Sequence, residues 1–277
     1  MSVLPEVPEA DAAPDVAAIY AGLREAMGLP LVNLIWRHFA TLPGVLPWAW
    51  EATRGVLGSD TVAAGSARMA ELVRAAPGPG LHALGPALRA MPPDERTLIA
   101  AVVRAYNRGN TVNAQVLAAV RRSIASDEVP MRTAALPEAG GRGGGPVAAI
   151  PPLPRMDALP GPERAEVAAL AALHDPQDAV VPSLYRHLAL WPRVLPPLRQ
   201  ALAPMFAEGR IAALRAALLD ASEASATLLL PRLSPPGPFP SEHRDAVLRV
   251  LALFPGKIIV EMAGIGLLLE AELDQVG

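Results

Sequence analysis

The chain has 277 residues, 52% of them hydrophobic, and 24 basic against 27 acidic residues leave a net charge of −3. That is enough apolar material for one large domain or two fused ones, and too small a net charge to draw in nucleic acid or anionic lipid through a global field. There is no cysteine, which excludes disulfides, thiolate metal sites and a cysteine nucleophile and suits a reducing compartment, the cytoplasm being the default expectation.

Met1 to Pro14 is acidic and proline-bearing, without the basic start and apolar core of a secretory signal. Apolar residues then recur at three- and four-residue spacing on Ala-, Leu- and Arg-rich backgrounds. They predict helices over Val16–Met27, Leu31–Thr41, Pro47–Leu57, Val62–Ala75, Asp94–Tyr106 and Thr111–Ile124. Gly140-Gly-Arg-Gly-Gly-Gly145, followed by Pro146, Pro151, Pro152 and Pro154, cannot hold a helix, because glycine costs backbone entropy and proline lacks the donor. The helical pattern resumes at Pro162–His174, Ser183–Ala189, Leu195–Ala207, Ile211–Leu230, Ser241–Phe254 and Lys257–Leu273. Asp94-Glu95 after Pro92-Pro93, and Ser241 before Glu242, mark helix entries. No stretch alternates as a strand does. The expected architecture is all-α: a first helical repeat over 1–125, a Pro/Gly-rich linker over 126–161 and a second repeat over 162–277. The most apolar run, Ile258–Leu269, carries Glu261 and is too short to span a bilayer, so a buried helix is expected there and no membrane partner.

The word "repeat" rests on a duplicated sentence. Val32-Asn-Leu-Ile-Trp-Arg-His-Phe-Ala-Thr-Leu-Pro-Gly-Val-Leu-Pro47 returns as Val181-Pro-Ser-Leu-Tyr-Arg-His-Leu-Ala-Leu-Trp-Pro-Arg-Val-Leu-Pro196, identical at 8 of 16 positions and offset by 149 residues. Met91-Pro-Pro-Asp-Glu-Arg96 likewise registers on Phe239-Pro-Ser-Glu-His-Arg244 at an offset of 148, which lays Tyr106-Asn-Arg-Gly-Asn110 on Phe254-Pro-Gly-Lys-Ile258. Each half is therefore expected to break a helix at the same point, by Asn107 and Gly109 or by Pro255 and Gly256. A helix that restarts there would turn free N–H groups and a positive dipole end toward a carboxylate or halide; a kink that wraps the core is the competing reading. A pocket is expected where the halves meet.

Few residues could carry chemistry. Asn110 and Asn113 could cap the restarted helix or orient a water. Glu261, in an apolar run, must pair, protonate or react; Lys257, the only lysine, stands four residues before it and could form an i, i+4 pair. His38 and His187, equivalent in the repeats, are expected to serve carbonyls at helix ends, with proton transfer the alternative. Trp36, Trp48, Trp50, Tyr185 and Trp191 fit core packing. Ser183 has no triad context, and no spacing suggests a metal site.

The duplicated Arg-x-(Leu/Phe)-Ala-x-x-Pro-x-x-Leu segments, the Asn107-Arg-Gly-Asn110 break and the proline-rich bridge together resemble the group I 2-haloacid dehalogenases, the DehI family. Ala40-Thr-Leu-Pro-Gly-Val-Leu-Pro-Trp-Ala-Trp50, Tyr106-Asn-Arg-Gly-Asn110 and Leu190-Trp-Pro-Arg-Val-Leu195 carry the resemblance most strongly, and it runs over nearly the whole chain. It implies two pseudo-symmetric helical repeats, a homodimer, and hydrolysis of short 2-halo carboxylic acids of either configuration with no metal or cofactor. It further implies an aspartate that activates a water for displacement at carbon 2 with inversion, and an asparagine that helps hold the water. Each repeat also resembles the alkylhydroperoxidase-D-like fold, whose peroxidase chemistry a cysteine-free chain cannot perform.

Asn110 matches the asparagine. The aspartate position, directly after Ser183, is Leu184, which cannot accept a proton. An aromatic pair of the family pocket maps onto Leu31 and Leu34, and a tyrosine onto Phe254, so a larger and greasier cavity is expected. Three readings follow. In a rebuilt enzyme, Glu261 replaces the base, Asn110 and Asn113 place the water, and Lys257 or a helix start near Ile258, the repeat counterpart of Asn110, accepts the carboxylate. In a binding protein, the cavity wall, including Ser183, Leu184 and Phe254, holds a small carboxylic acid or apolar ligand without turning it over. In a helical interaction protein the cavity is packed shut.

Overall fold

The computed structural model describes residues 4–78, 80–126, 148–175 and 180–276. Most of the linker expected over 126–161 lies outside them. Among the described residues every regular element is helical. The first half contributes α1 (Pro14–Met27), α2 (Leu34–Phe39), α3 (Val45–Thr53), α4 (Asp60–Ala75), α5 (Gly85–Arg89) and α6 (Pro93–Ala125). The second contributes α7 (Gly161–Ala172), α8 (Ser183–Leu188), α9 (Leu195–Ala207), α10 (Arg210–Leu229), α11 (Arg244–Leu253) and α12 (Ile259–Val276). Adding 149 to the bounds of α2 gives the bounds of α8, and similar elements follow in the same order.

Local sequence accounts for several ends. Ser59 accepts from Val62 N–H and caps α4. Gly28, at φ 61°, closes α1 with its N–H on the last carbonyls, the left-handed conformation that glycine adopts without strain. α2 is shorter than expected because Asn33 is extended (φ −65°, ψ 150°), so the chain before Leu34 runs as a strap and not as a helical turn.

The expected helix breaks require correction. α6 runs unbroken for 33 residues through Asn107, Gly109 and Asn110. Burial outweighs the weak helix propensity of these residues. Thr111 Oγ1 donates to the Asn107 carbonyl at 2.9 Å, Asn107 Nδ2 donates to Glu270 at 2.7 Å, and a Cβ on Gly109 would lie 2.7 Å from the Asn33 carboxamide. In the second half α11 passes into α12 through one π-helical turn, Phe254–Ile258. Pro255 cannot donate into an i→i−4 ladder, and the widened turn absorbs it without ending the helix. No helix starts at Asn110 or Ile258, so the positive helix end expected to hold an anion is absent from both places. The stretch Ser241–Val276 is long and apolar enough to cross a membrane by length and composition, yet 67% of its most apolar window is buried inside the protein.

Two apolar cores form, and both draw on both halves. One joins Trp36, Phe39, Leu46 and Val116 to Leu218, Val247 and Leu251; the other joins Leu84, Ile99 and Val103 to Tyr185, Leu198, Ile265 and Leu269. Helix α6 and the α11–α12 rod pass through both, which locks the halves together.

The repeat-equivalent Arg-His pairs strap the extended chain that precedes each half's helices. His38 Nδ1 lies 2.8 Å from the Pro5 carbonyl and His187 Nε2 lies 2.9 Å from that of Pro151. A carbonyl only accepts, so both ring nitrogens donate. Arg186 forks onto the Pro154 carbonyl at 3.2 and 2.9 Å, and Arg37 pairs with Glu6. The histidines thus serve carbonyls of extended segments, not of helix ends as expected.

Candidate functional site

A cavity of about 50 Å³ lies where the halves meet, between the starts of α2 and α8 and the middles of α6 and the α11–α12 rod. Many of its wall residues fall at paired positions of the duplicated sequence. Asn33 and Pro182, Leu34 and Ser183, Ile35 and Leu184, Tyr106 and Phe254, and Asn110 and Ile258 are wall residues at corresponding positions of the two halves. Val180, Ile259, Met262 and Asn113 complete it. The shape is paired while the chemistry is not: apart from Ser183, the polar side chains come from the first half and the second half supplies aliphatic and aromatic surface.

Of the residues expected at the site, Asn110, Leu34, Asn113, Ser183, Leu184, Phe254 and Ile258 are in the wall. Leu31, Lys257 and Glu261 are not. Glu261 is 4% exposed, with Oε2 at 2.6 Å from His174 Nδ1 and Oε1 at 2.7 Å from Arg215 Nη1. His174 Nε2 continues to the Tyr185 hydroxyl at 2.9 Å. A carboxylate with both oxygens committed to a cation and an imidazole, and absent from the cavity wall, is a structural pair. The expected Lys257–Glu261 pair is also replaced: Lys257 Nζ lies 3.8 Å from Asp175, and the intervening π turn takes the two residues out of regular α-helical spacing. Leu31 packs instead into the core that holds Leu81 and Tyr185.

Asn113 and Glu261 occupy corresponding positions, and their difference is instructive. Trp36, the counterpart of Tyr185, donates its indole N–H directly to Asn113 Oδ1 at 2.8 Å. In the second half the link from Tyr185 to Glu261 runs through His174. An indole nitrogen can only donate, so it fixes Oδ1 as the acceptor and leaves Nδ2 as a spare donor. Asn113 Nδ2, Asn33 Oδ1 and Ser183 Oγ are buried and without hydrogen-bond partners. Each such group costs about 1–3 kcal/mol unless something binds it, and all three belong to residues of the cavity wall.

Tyr106 is a polar wall group that its type and spacing alone do not mark as chemical, although it lies on Phe254 in the repeat register. Its hydroxyl is 3.3 Å from His187 Nδ1. Burial raises the phenol well above its ordinary pKa, with Arg37 opposing, so it stays protonated. Burial pushes His187 down to about 4, against the Pro151 hydrogen bond that raises it and with Arg186 lowering it further. The imidazole is therefore neutral, with Nε2–H on Pro151 and Nδ1 free to accept from Tyr106. The same holds for Asn33, whose place one residue ahead of α2 is a loop position that periodicity does not mark.

Among the described residues no Asp, Glu, His, Lys or Arg lines the cavity, and no group of three His, Cys, Asp or Glu residues could hold a metal ion. Leu184, 1% exposed, is among the wall residues.

No family model and no curated protein matches the sequence. Solved structures do match. A D-2-haloacid dehalogenase mutant in complex with D-2-CPA aligns with a TM-score of 0.71 at 19% identity, over 100% of this chain and 97% of the other. A D-2-haloacid dehalogenase in complex with L-LA gives 0.72 at 19% identity over 100% and 97%, and a further mutant of such an enzyme gives 0.73 at 18% over 98% and 96%. The described residues have the D-2-haloacid dehalogenase fold.

Proposed function

We propose that this dehalogenase-like protein binds a small 2-substituted ligand of the haloacid shape in the cavity between its repeats and does not hydrolyse it. The observation that carries this reading is the wall itself: three unpartnered polar groups on Asn33, Asn113 and Ser183, an aliphatic Leu184, and no carboxylate or imidazole among the described residues. Water is a poor nucleophile at neutral pH, and removal of a general base costs about 10²–10⁴-fold in rate. The fold shared with enzymes solved with D-2-CPA and L-LA supports a ligand of that size and shape. Asn113 Nδ2 and the Ser183 hydroxyl donate to the ligand, Tyr106 and Asn110 flank it, and Leu184, Phe254 and Met262 cover its apolar side.

The test pairs two readouts on the same sample. The protein is mixed with D- and L-2-chloropropionate and their amides; thermal shift reports binding and a chloride electrode reports turnover. Stabilisation by at least one compound, of about 2.7 kcal/mol at 100 times Kd, without chloride release above the buffer blank is the expected result. Chloride released in excess of protein would replace the binding reading with an enzymatic one.

A further inference from the structure

Resting on the cavity's being a ligand site, we infer that its occupant is uncharged, and that a short 2-substituted amide is held in preference to the corresponding carboxylate. The wall holds one ionisable group among the described residues, the Tyr106 phenol. The charged side chains nearby are paired outside the wall, Glu261 with Arg215 and His174, Lys257 with Asp175, and Arg37 and Arg186 with Glu6, although Arg37 Nη2 has no hydrogen-bond partner. His187, which faces Tyr106, has its Nε2 on the Pro151 carbonyl. A carboxylate entering this cavity loses its water and meets no side-chain cation in the wall, only neutral side chains and the backbone N–H groups at the starts of the short α2 and α8, so less of its desolvation is recovered than beside a paired cation.

Polarity points the same way. Trp36 fixes Asn113 so that Nδ2 is a donor, while Asn33 Oδ1 is an acceptor and the Ser183 hydroxyl can be either. A primary amide supplies both complements: its carbonyl accepts from Asn113 Nδ2 and its NH₂ donates to Asn33 Oδ1. A carboxylate only accepts, and leaves Asn33 Oδ1 unpaired or forces that amide to turn.

Titration calorimetry of the full chain at pH 7 with 2-chloropropionamide and with sodium 2-chloropropionate decides the matter. The amide is expected to bind at least tenfold tighter. Asn113→Asp keeps the acceptor for Trp36 and removes the spare donor, so amide affinity falls at least tenfold in a variant whose circular dichroism is unchanged. Leu184→Phe, which fills the cavity from its apolar side, abolishes binding and serves as the second variant should Asn113→Asp not fold. Carboxylate binding as tight as or tighter than amide binding overturns this inference and leaves the ligand-site reading standing. Failure of both compounds to bind overturns the two together.

Discussion

Replacing Glu261 by glutamine separates a structural acid from a catalytic one. The carboxylate is 4% exposed and accepts two short charge-assisted hydrogen bonds, 2.6 Å from His174 and 2.7 Å from Arg215. Glutamine keeps one acceptor and turns the other into a donor that faces either the guanidinium or the imidazole. If it faces His174, the ring must move its proton to Nε2, and the Tyr185 hydroxyl then loses its acceptor. Two such bonds are worth about 1.5–3 kcal/mol each; Arg215 is one-third exposed, so its share is discounted for solvent, and glutamine retains part of the rest. The expected loss is about 2–4 kcal/mol, or roughly 5–12 °C in Tm for a chain of this size. Urea unfolding monitored by tryptophan fluorescence reads it directly. A change below about 0.5 kcal/mol would refute the reasoning, because it would mean that the carboxylate is not held by these partners.

Three further outcomes follow from the same geometry. Leu184→Asp places an acid in the wall beside Asn110; chloride release from 2-chloropropionate should become detectable while stability falls by about 2–4 kcal/mol, and a folded variant with no release would separate the position from the chemistry. Gly109→Ala puts a methyl 2.7 Å from the Asn33 carboxamide, so stability should drop by about 1–3 kcal/mol despite alanine's better helix propensity, with weakened ligand binding, as measured by calorimetry. His187 is held down to about 4 against 6.5 when unfolded, so the unfolded chain takes up the proton first as pH falls. Its contribution, on the order of 3 kcal/mol, is intact above pH 6.5 and lost between 6.5 and 4; urea midpoints over that range should fall more steeply for the parent than for His187→Asn.

Much of the fold was legible because the periodicity and the duplicated Arg-His-x-Ala segment are both local signals. They gave the order of helices and the junction where the cavity lies. The expectations that the structure corrects share one cause: local composition points to a break where burial decides. Asn107 and Gly109 look like a break, but inside a core the glycine makes room for Asn33 and the asparagine finds Glu270, so α6 continues. Pro255 and Gly256 were rightly marked as irregular, yet a π turn accommodates them without ending the rod.

Of the roles open to Glu261 in its apolar run, the structure has the buried pair and not the cavity acid, and its partners lie outside the reach of any spacing rule, His174 and Arg215 being 87 and 46 residues away. Tyr106 and Asn33 were within reach of the sequence. Tyr106 corresponds in the repeat register to Phe254, a residue expected in the wall, and Asn33 to Pro182, which directly precedes Ser183.

The most direct measurement of the central claim is anomalous diffraction from crystals grown with 2-bromopropionamide. The account predicts a single bromine peak in the cavity, beside Leu184 and Phe254, on an intact ligand whose amide meets Asn113 and Asn33. A cavity without bromine, or one holding the hydroxy product with the halogen gone, would contradict it.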